Sequence, residues 1–243
     1  MSIGSFINVV VDRSMNDESL MGRSHCDYCK KKLSWCDLIP VFSYLFLKGR
    51  CRYCHTSLSF QYPLVELLTG VWFMCVVLCA PNADLLRIIL YWGIVSSAWV
   101  IFLSDLKYQL IADNMLIAAL VFILLLKLYE KATLFSLGFD LLAAVVTLLP
   151  IGFFYLVSKG KWMGEGDIYI AALMGLFLGI QKGLVAVYLA FVVGAVIGII
   201  LLLIRRKKMK SAIPFGPFLI IGSTVAVLWG GTIIRFILKM YGY

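Results

Sequence analysis

A chain of 243 residues that is 62% hydrophobic and only 14% charged, with mean hydropathy +0.96, carries more apolar surface than a soluble globular domain of that length can bury. The expected fold is an all-α integral membrane protein, a polytopic bundle of about eight transmembrane helices. The formal net charge of +9 does not call for a nucleic-acid partner, because in a membrane protein the positions of the basic residues matter more than their sum.

The first apolar run, Ile3 to Val11, is too short to cross a hydrocarbon layer of about 30 Å, which takes roughly 20 helical residues. It lacks the basic start and small-residue cleavage site of a removed signal peptide. Residues 1–12 therefore read as a short or truncated first helix. Residues 13–60 are the one long polar stretch and hold five of the seven cysteines and both histidines, which predicts a small cytosolic subdomain. From 61 to 243 the chain reads as the membrane domain proper. Its spans are expected near Pro63–Cys79, Leu85–Leu103, Met115–Tyr129, Leu137–Val157, Ile168–Ile180, Leu184–Ile204 and Phe218–Leu238.

If residues 12–60 are inside and the spans alternate, most of the 22 Lys and Arg fall in inner loops: Arg13 to Arg52, Lys107, Lys159 with Lys161, and the run Arg205 to Lys210. The positive-inside rule then sets the orientation, with this polar loop on the cytosolic side. The charge runs Lys30 to Lys32 and Arg205 to Lys210 read as topogenic anchors that touch anionic headgroups of the lipid bilayer. Gly175 with Gly179, and Gly194 with Gly198, have the GxxxG spacing that lets helix backbones approach closely.

Two acidic clusters fall at the cytosolic edge of this arrangement. One is Ser104-Asp105-Leu106-Lys107-Tyr108-Gln109-Leu110-Ile111-Ala112-Asp113, between two spans; the other is Gly164-Glu165-Gly166-Asp167, leading into a span. An interfacial Asp often does no more than face headgroup water or the positive N-terminus of a helix. Asp105, however, follows the unbroken apolar run Trp99 to Leu103, and Asp167 follows two glycines that let the backbone bend and other groups come close. Carboxylates within hydrocarbon are costly and functional by default. Two of them a few ångströms apart share a proton and titrate as a pair, which is the equipment for hydrolysing a peptide with an activated water.

Other chemistries fit poorly. His25 and His55 both adjoin cysteines in the polar loop, so no Ser-His-Asp site forms within the membrane. The sequence has no HExxH and no GxxxxGK[ST] loop. Cys26-Asp27-Tyr28-Cys29 and Cys51-Arg52-Tyr53-Cys54 are paired CxxC turns separated by 21 residues, the pattern of a closed structural zinc site. The thiols of Cys26, Cys29, Cys51 and Cys54 are its expected ligands, with His25 or His55 as possible substitutes; reduced, unligated thiols are the simpler alternative. A disulfide is disfavoured on a cytosolic face. Cys36, Cys75 and Cys79 lack partner spacing. Glu66, one turn into its span, either reaches back to the interface or lines the bundle interior.

Taken together, Gly4-Ser5-Phe6-Ile7-Asn8-Val9-Val10, the paired CxxC motifs, Gly49 to Cys54, Tyr62 to Thr69, Asp105 to Asp113, Gly164 to Asp167 and Ile213-Pro214-Phe215-Gly216-Pro217-Phe218 resemble the type IV prepilin peptidases, in order and along nearly the whole chain. The resemblance implies a GxGD aspartic peptidase that removes the basic leader of prepilins or pseudopilins at the cytosolic face. It also implies S-adenosylmethionine-dependent methylation of the new N-terminus. Asp105 and Asp167 take the positions of the catalytic aspartates, with Asp113, Gly164, Gly166 and Glu66 as supporting motif members. Two departures stand out: Ala112 occupies a position usually Pro, and Tyr169 one where Lys is common. The competing readings are a GxGD protease without methyl transfer, and a non-enzymatic membrane protein that handles ions or metals.

Overall fold

The computed structural model describes residues 1–15, 19, 22–26, 28–130, 133–204 and 213–240. The basic run Arg205 to Lys210 lies outside the described residues. Those described form helices joined by short loops: α1 Ser2–Met15, a single 3-10 turn Trp35–Leu38, α2 Phe42–Phe46, α3 Gln61–Cys79, α4 Leu85–Tyr108, α5 Asp113–Tyr129, α6 Leu134–Ser158, α7 Glu165–Leu203 and α8 Gly216–Met240. Five of these, α3, α4, α6, α7 and α8, are long and apolar enough to cross a membrane, and the chain is an all-α, multi-pass membrane protein. Helix α5 has 17 residues and α1 has 14, so the expected count of crossings does not follow from length alone.

The chain divides into two compact units, Met1–Val100 and Ile101–Tyr243. In the first, α1 packs against α3 because Gly4 has no side chain: a Cβ there would stand 2.7 Å from the Glu66 Cα and 3.0 Å from the Thr69 hydroxyl. Helix α1 runs past the apolar stretch to Met15, and its polar end is engaged. Asp12 accepts a hydrogen bond from the Tyr62 hydroxyl at 3.1 Å, and Arg13 donates to the Ser19 and Arg23 carbonyls. Helix α3 is tied to the first part of α4 by a stacked Phe73–Trp92 pair, with centroids 4.9 Å apart, and by the Trp92 indole N–H donating to the Phe73 carbonyl.

In the second unit α7 packs on both α6 and α8. Its 39 residues would make a helix about 58 Å long, but Gly179 has φ 78° and ψ 172°, backbone angles open to glycine and strained for other residues. There the helix reverses. A Cβ on Gly183 would come within 3.4 Å of the Gly175 Cα, whereas eight residues of continuous helix would separate them by about 12 Å. The two arms, 165–178 and 180–203, correspond to the two spans expected from the sequence.

Small residues make this packing possible. Gly175 sits directly on the Ala143 carbonyl and the Thr147 hydroxyl of α6, Gly183 on that same Thr147, and Gly222 of α8 on the Ala186 carbonyl of α7. Around them Ala171, Ala186, Ala190, Leu219 and Ala226 are fully buried. Of the two GxxxG spacings, Gly175 marks a close helix contact, while Gly179 serves the reversal and has nothing within 4 Å of where its Cβ would be. Gly194 faces the Phe218 ring, and Gly198 only the tip of Ile213.

Candidate active site and metal-binding cluster

Asp105 lies in the last turn of α4 and Asp167 in the first turn of α7, both within the second unit and only 6% and 5% exposed. The local sequence around Asp167 is a helix start. Gly164 is extended at φ −79°, ψ 158°, and the Asp167 carboxylate reaches back to accept the Gly164 N–H at 3.1 Å, the reciprocal half of a capping box. Neither glycine of the motif has a positive φ, so the expected sharp bend is absent. The expected close approach is present at Gly166, where a Cβ would collide with the Ile111 side chain. Ile111 belongs to the four-residue link that follows α4, so that contact brings the start of α7 up to the end of Asp105's helix.

A third segment completes the arrangement. The backbone N–H of Gly216, the first residue of α8, donates to Asp105 Oδ2 at 2.9 Å. A Cβ on Gly216 would stand 2.7 Å from that oxygen and 3.3 Å from Ile170 Cδ1, and Ile170 lies one turn beyond Asp167 on α7. Asp105, Gly216 and the Asp167 face of α7 thus converge. Each carboxyl has Oδ2 engaged by one backbone N–H. The segment before α8 is held by an aromatic chain, Phe154, Phe191, Phe215 and Phe218, with successive centroids 5.4, 5.1 and 6.1 Å apart. The sequence marked Ile213 to Phe218 as a motif, but the contact of its glycine with Asp105, 111 residues away, has no local signature.

The other motif members fall elsewhere. Asp113 opens α5 and is exposed. Ala112 before it has φ −74°, inside the range a proline ring would impose, so the turn keeps its shape without the proline. Tyr169 is 56% exposed, unlike the two buried carboxyls. Glu66, in the first unit, is buried and accepts the Val41 N–H at 2.8 Å, which is the reach back toward the polar segment.

In the first unit the four sulfurs of Cys26, Cys29, Cys51 and Cys54 all lie within 4.8 Å of one another. Neither histidine and none of the other cysteines joins that group. Cys26 Sγ and Cys54 Sγ are 3.9 Å apart, far longer than a disulfide and near the roughly 3.8 Å edge of a tetrahedron with 2.3 Å zinc–sulfur bonds. The two turns repeat each other. Lys30 donates its N–H to the Cys26 carbonyl and His55 to that of Cys51, and both residues, one past the second cysteine, adopt left-handed φ values of 55° and 57°. Antiparallel bridges, His25 to Lys32 and Arg50 to Ser57, close the two turns at matching positions. The Thr56 hydroxyl, 3.3 Å from Cys54 Sγ, and the Thr56 N–H lower that thiol from its ordinary 9.0 to about 6. A site so disposed can bind a metal ion.

Residues 1–80 match the Bacterial Peptidase A24 N-terminal domain, and residues 92–199 match the Type IV leader peptidase family. The prepilin leader peptidase/N-methyltransferase of Aeromonas hydrophila is 32% identical over 99% of this chain and 92% of its own length. The chain belongs to the type IV leader peptidase family. Relatives of the same description from Bacillus subtilis, at 30% identity over 90% of this chain and 86% of theirs, and from Xanthomonas campestris, at 34% over 90% and 76%, extend the match. No solved structure matches significantly. In this member of the family both matched segments carry one of the clusters described above, the thiols in the first and the two carboxyls in the second.

Proposed function

We propose that this chain is a prepilin peptidase and N-methyltransferase that removes the leader of type IV prepilins or pseudopilins with Asp105 and Asp167 as its catalytic pair. What supports the reading is that both carboxyls are buried and each is held by a backbone N–H, with Gly216, the donor to Asp105, lying against Ile170 one turn beyond Asp167. In the proposed cycle the ionised member removes a proton from a water molecule as that water attacks the scissile carbonyl. The protonated member donates to the carbonyl oxygen. Collapse of the tetrahedral intermediate reverses the roles: the newly protonated carboxyl gives its proton to the departing amine, and the hydroxyl proton returns to the other. Water is the only reagent consumed.

The site is proposed to lie at the cytosolic face of the inner membrane, where a basic leader in water meets an apolar helix in lipid. Methylation of the new N-terminal amine would draw its methyl group from S-adenosylmethionine, as the resemblance to the leader peptidase/N-methyltransferases implies. Zinc is the proposed ion of the cysteine cluster. Four thiolates would close its coordination and leave no position for substrate, so Cys26, Cys29, Cys51 and Cys54 would hold it for the sake of the loop's shape.

The test is leader removal from a co-expressed prepilin. Asp105→Asn and Asp167→Asn should each abolish cleavage while the protein still accumulates in the membrane; cleavage retained by both variants would overturn the assignment. Mass spectrometry of the trimmed pilin checks the second activity. An N-terminus without its methyl group would leave a peptidase alone.

A further inference from the structure

The segment between the two CxxC turns has an unusual surface. Trp35, Leu38 and Ile39 are exposed, and so, seven residues later in each case, are Phe42, Leu45 and Phe46. Each set has the i, i+3, i+4 spacing of a single helical face, and Pro40 interrupts the helix between them. Trp35 is 76% exposed and Phe46 84%. Apolar side chains so concentrated are not left in water by a stable protein.

Their depth is fixed by the membrane helix that follows. The Glu66 carboxylate, five residues into α3 and so about 7.5 Å along its axis, accepts the N–H of Val41. Val41 immediately precedes α2 and is forced to φ 63°, a strained angle for a β-branched residue. Tyr44 of α2 turns the other way, with its ring packed edge-on to Phe60 at 6.2 Å and its hydroxyl donating to the Leu58 carbonyl. Phe60, directly before the span, is itself 66% exposed. A segment bolted to the second turn of a membrane helix cannot stand off from the lipid. Residues 28–60 also hold Lys30, Lys31, Lys32, Lys48, Arg50 and Arg52, all exposed, against a single acid, Asp37, which pairs with Arg52 at 2.7 Å.

We propose that Trp35, Leu38, Ile39, Phe42, Leu45 and Phe46 form a lipid-docking face that lies in the interface of the bilayer α3 spans, while the surrounding lysines and Arg50 engage anionic headgroups. The arrangement is a broken amphipathic helix lying in the membrane surface, with a tryptophan at headgroup depth and cations around it. It holds the cysteine turns against the membrane. The inference depends only on α3 being a membrane span and stands apart from the catalytic assignment.

The full chain, labelled with fluorotryptophan and reconstituted in nanodiscs containing phosphatidylglycerol, provides the test. The Trp35 fluorine resonance is assigned by its loss in Trp35→Phe. A lipid spin-labelled near the headgroup should broaden that resonance away, and a soluble paramagnetic chelate should affect it less than the lipid label does. Broadening by the chelate alone, or protection from both agents as expected of a face covered by protein, would overturn the proposal. Replacing phosphatidylglycerol with phosphatidylcholine should weaken the effect of the lipid label; an equal effect in both lipids would overturn the part assigned to anionic headgroups.

Discussion

The four thiols of the first unit come together almost locally, each CxxC turn shaping itself through a backbone hydrogen bond and a left-handed residue. The two carboxyls of the second unit come from helices α4 and α7, and Asp105 is held by backbone from a third place, Gly216 at the head of α8. A metal ion bound at the thiol cluster would tie two prefabricated turns together. The carboxyl pair depends on glycines that let three distant segments touch, at Gly166 and Gly216. The first would be vulnerable to loss of such an ion, the second to the addition of a single methyl group.

That contrast is most sharply broken by Gly216→Ala. The added Cβ would sit 2.7 Å from Asp105 Oδ2 and must displace it, and a misplacement of about 1 Å in a reacting group costs on the order of a hundredfold in rate. We expect leader cleavage to fall by that order with helical circular dichroism unchanged. Wild-type cleavage rates would mean that the Gly216 contact does not position Asp105.

Metal removal comes next. Chelation, or Cys51→Ser, should make the bonds after Lys30 to Lys32 and Arg50 to Arg52 sensitive to trypsin, because structural thiolate sites supply folding free energy to the loops they close. The membrane-embedded helices should resist as before. An unchanged digestion pattern on chelation would show that the turns hold without an ion.

A smaller effect follows from Cys54. Its folded-state value of about 6 lies below the ordinary 9.0, so the linked stability of the metal-free loop is fully present above 9.0 and is lost as pH falls through about 6. Alkylation of Cys54 in stripped protein should accordingly rise through pH 6, since the thiolate is the nucleophile. Thr56→Val should move that rise upward, and an unmoved midpoint would remove Thr56 as its cause.

The smallest expected effect is at Ala112. Its φ of −74° already suits a proline, and Ala112→Pro should stabilise by about 0.4 to 1 kcal/mol through the unfolded chain, read as a modest rise in thermal midpoint with cleavage intact. A lower midpoint would mean that the Ala112 N–H or Ile111 cannot tolerate the ring.

Much of this was legible in the sequence because membrane spans and CxxC turns are local patterns. Even the division of α7 into two arms could be read from the interruption around Gly179 to Gly183. The end of α1 was underestimated because Asp12 and Arg13 look like a polar stop, yet their side chains find partners that allow the helix to continue. At Gly164 and Gly166 the expected close approach holds and the expected bend does not, because the helix start needs Gly164 as an extended cap and Gly166 as an absence of side chain. The Gly216 to Asp105 and Val41 to Glu66 bonds were not legible. Each joins a backbone N–H to a carboxyl far along the chain, and a backbone donor carries no residue identity to read.

The reversal at Gly179 also has a consequence for the lipid. The arm 165–178 is only about 21 Å long, against a hydrocarbon thickness of about 30 Å. With Gln181 and Lys182 just past the bend drawn to the far headgroups, this hydrophobic mismatch leaves Asp167 recessed unless the bilayer thins around it. A bilayer thinned in this way would shorten the path by which solvent reaches the carboxyl pair.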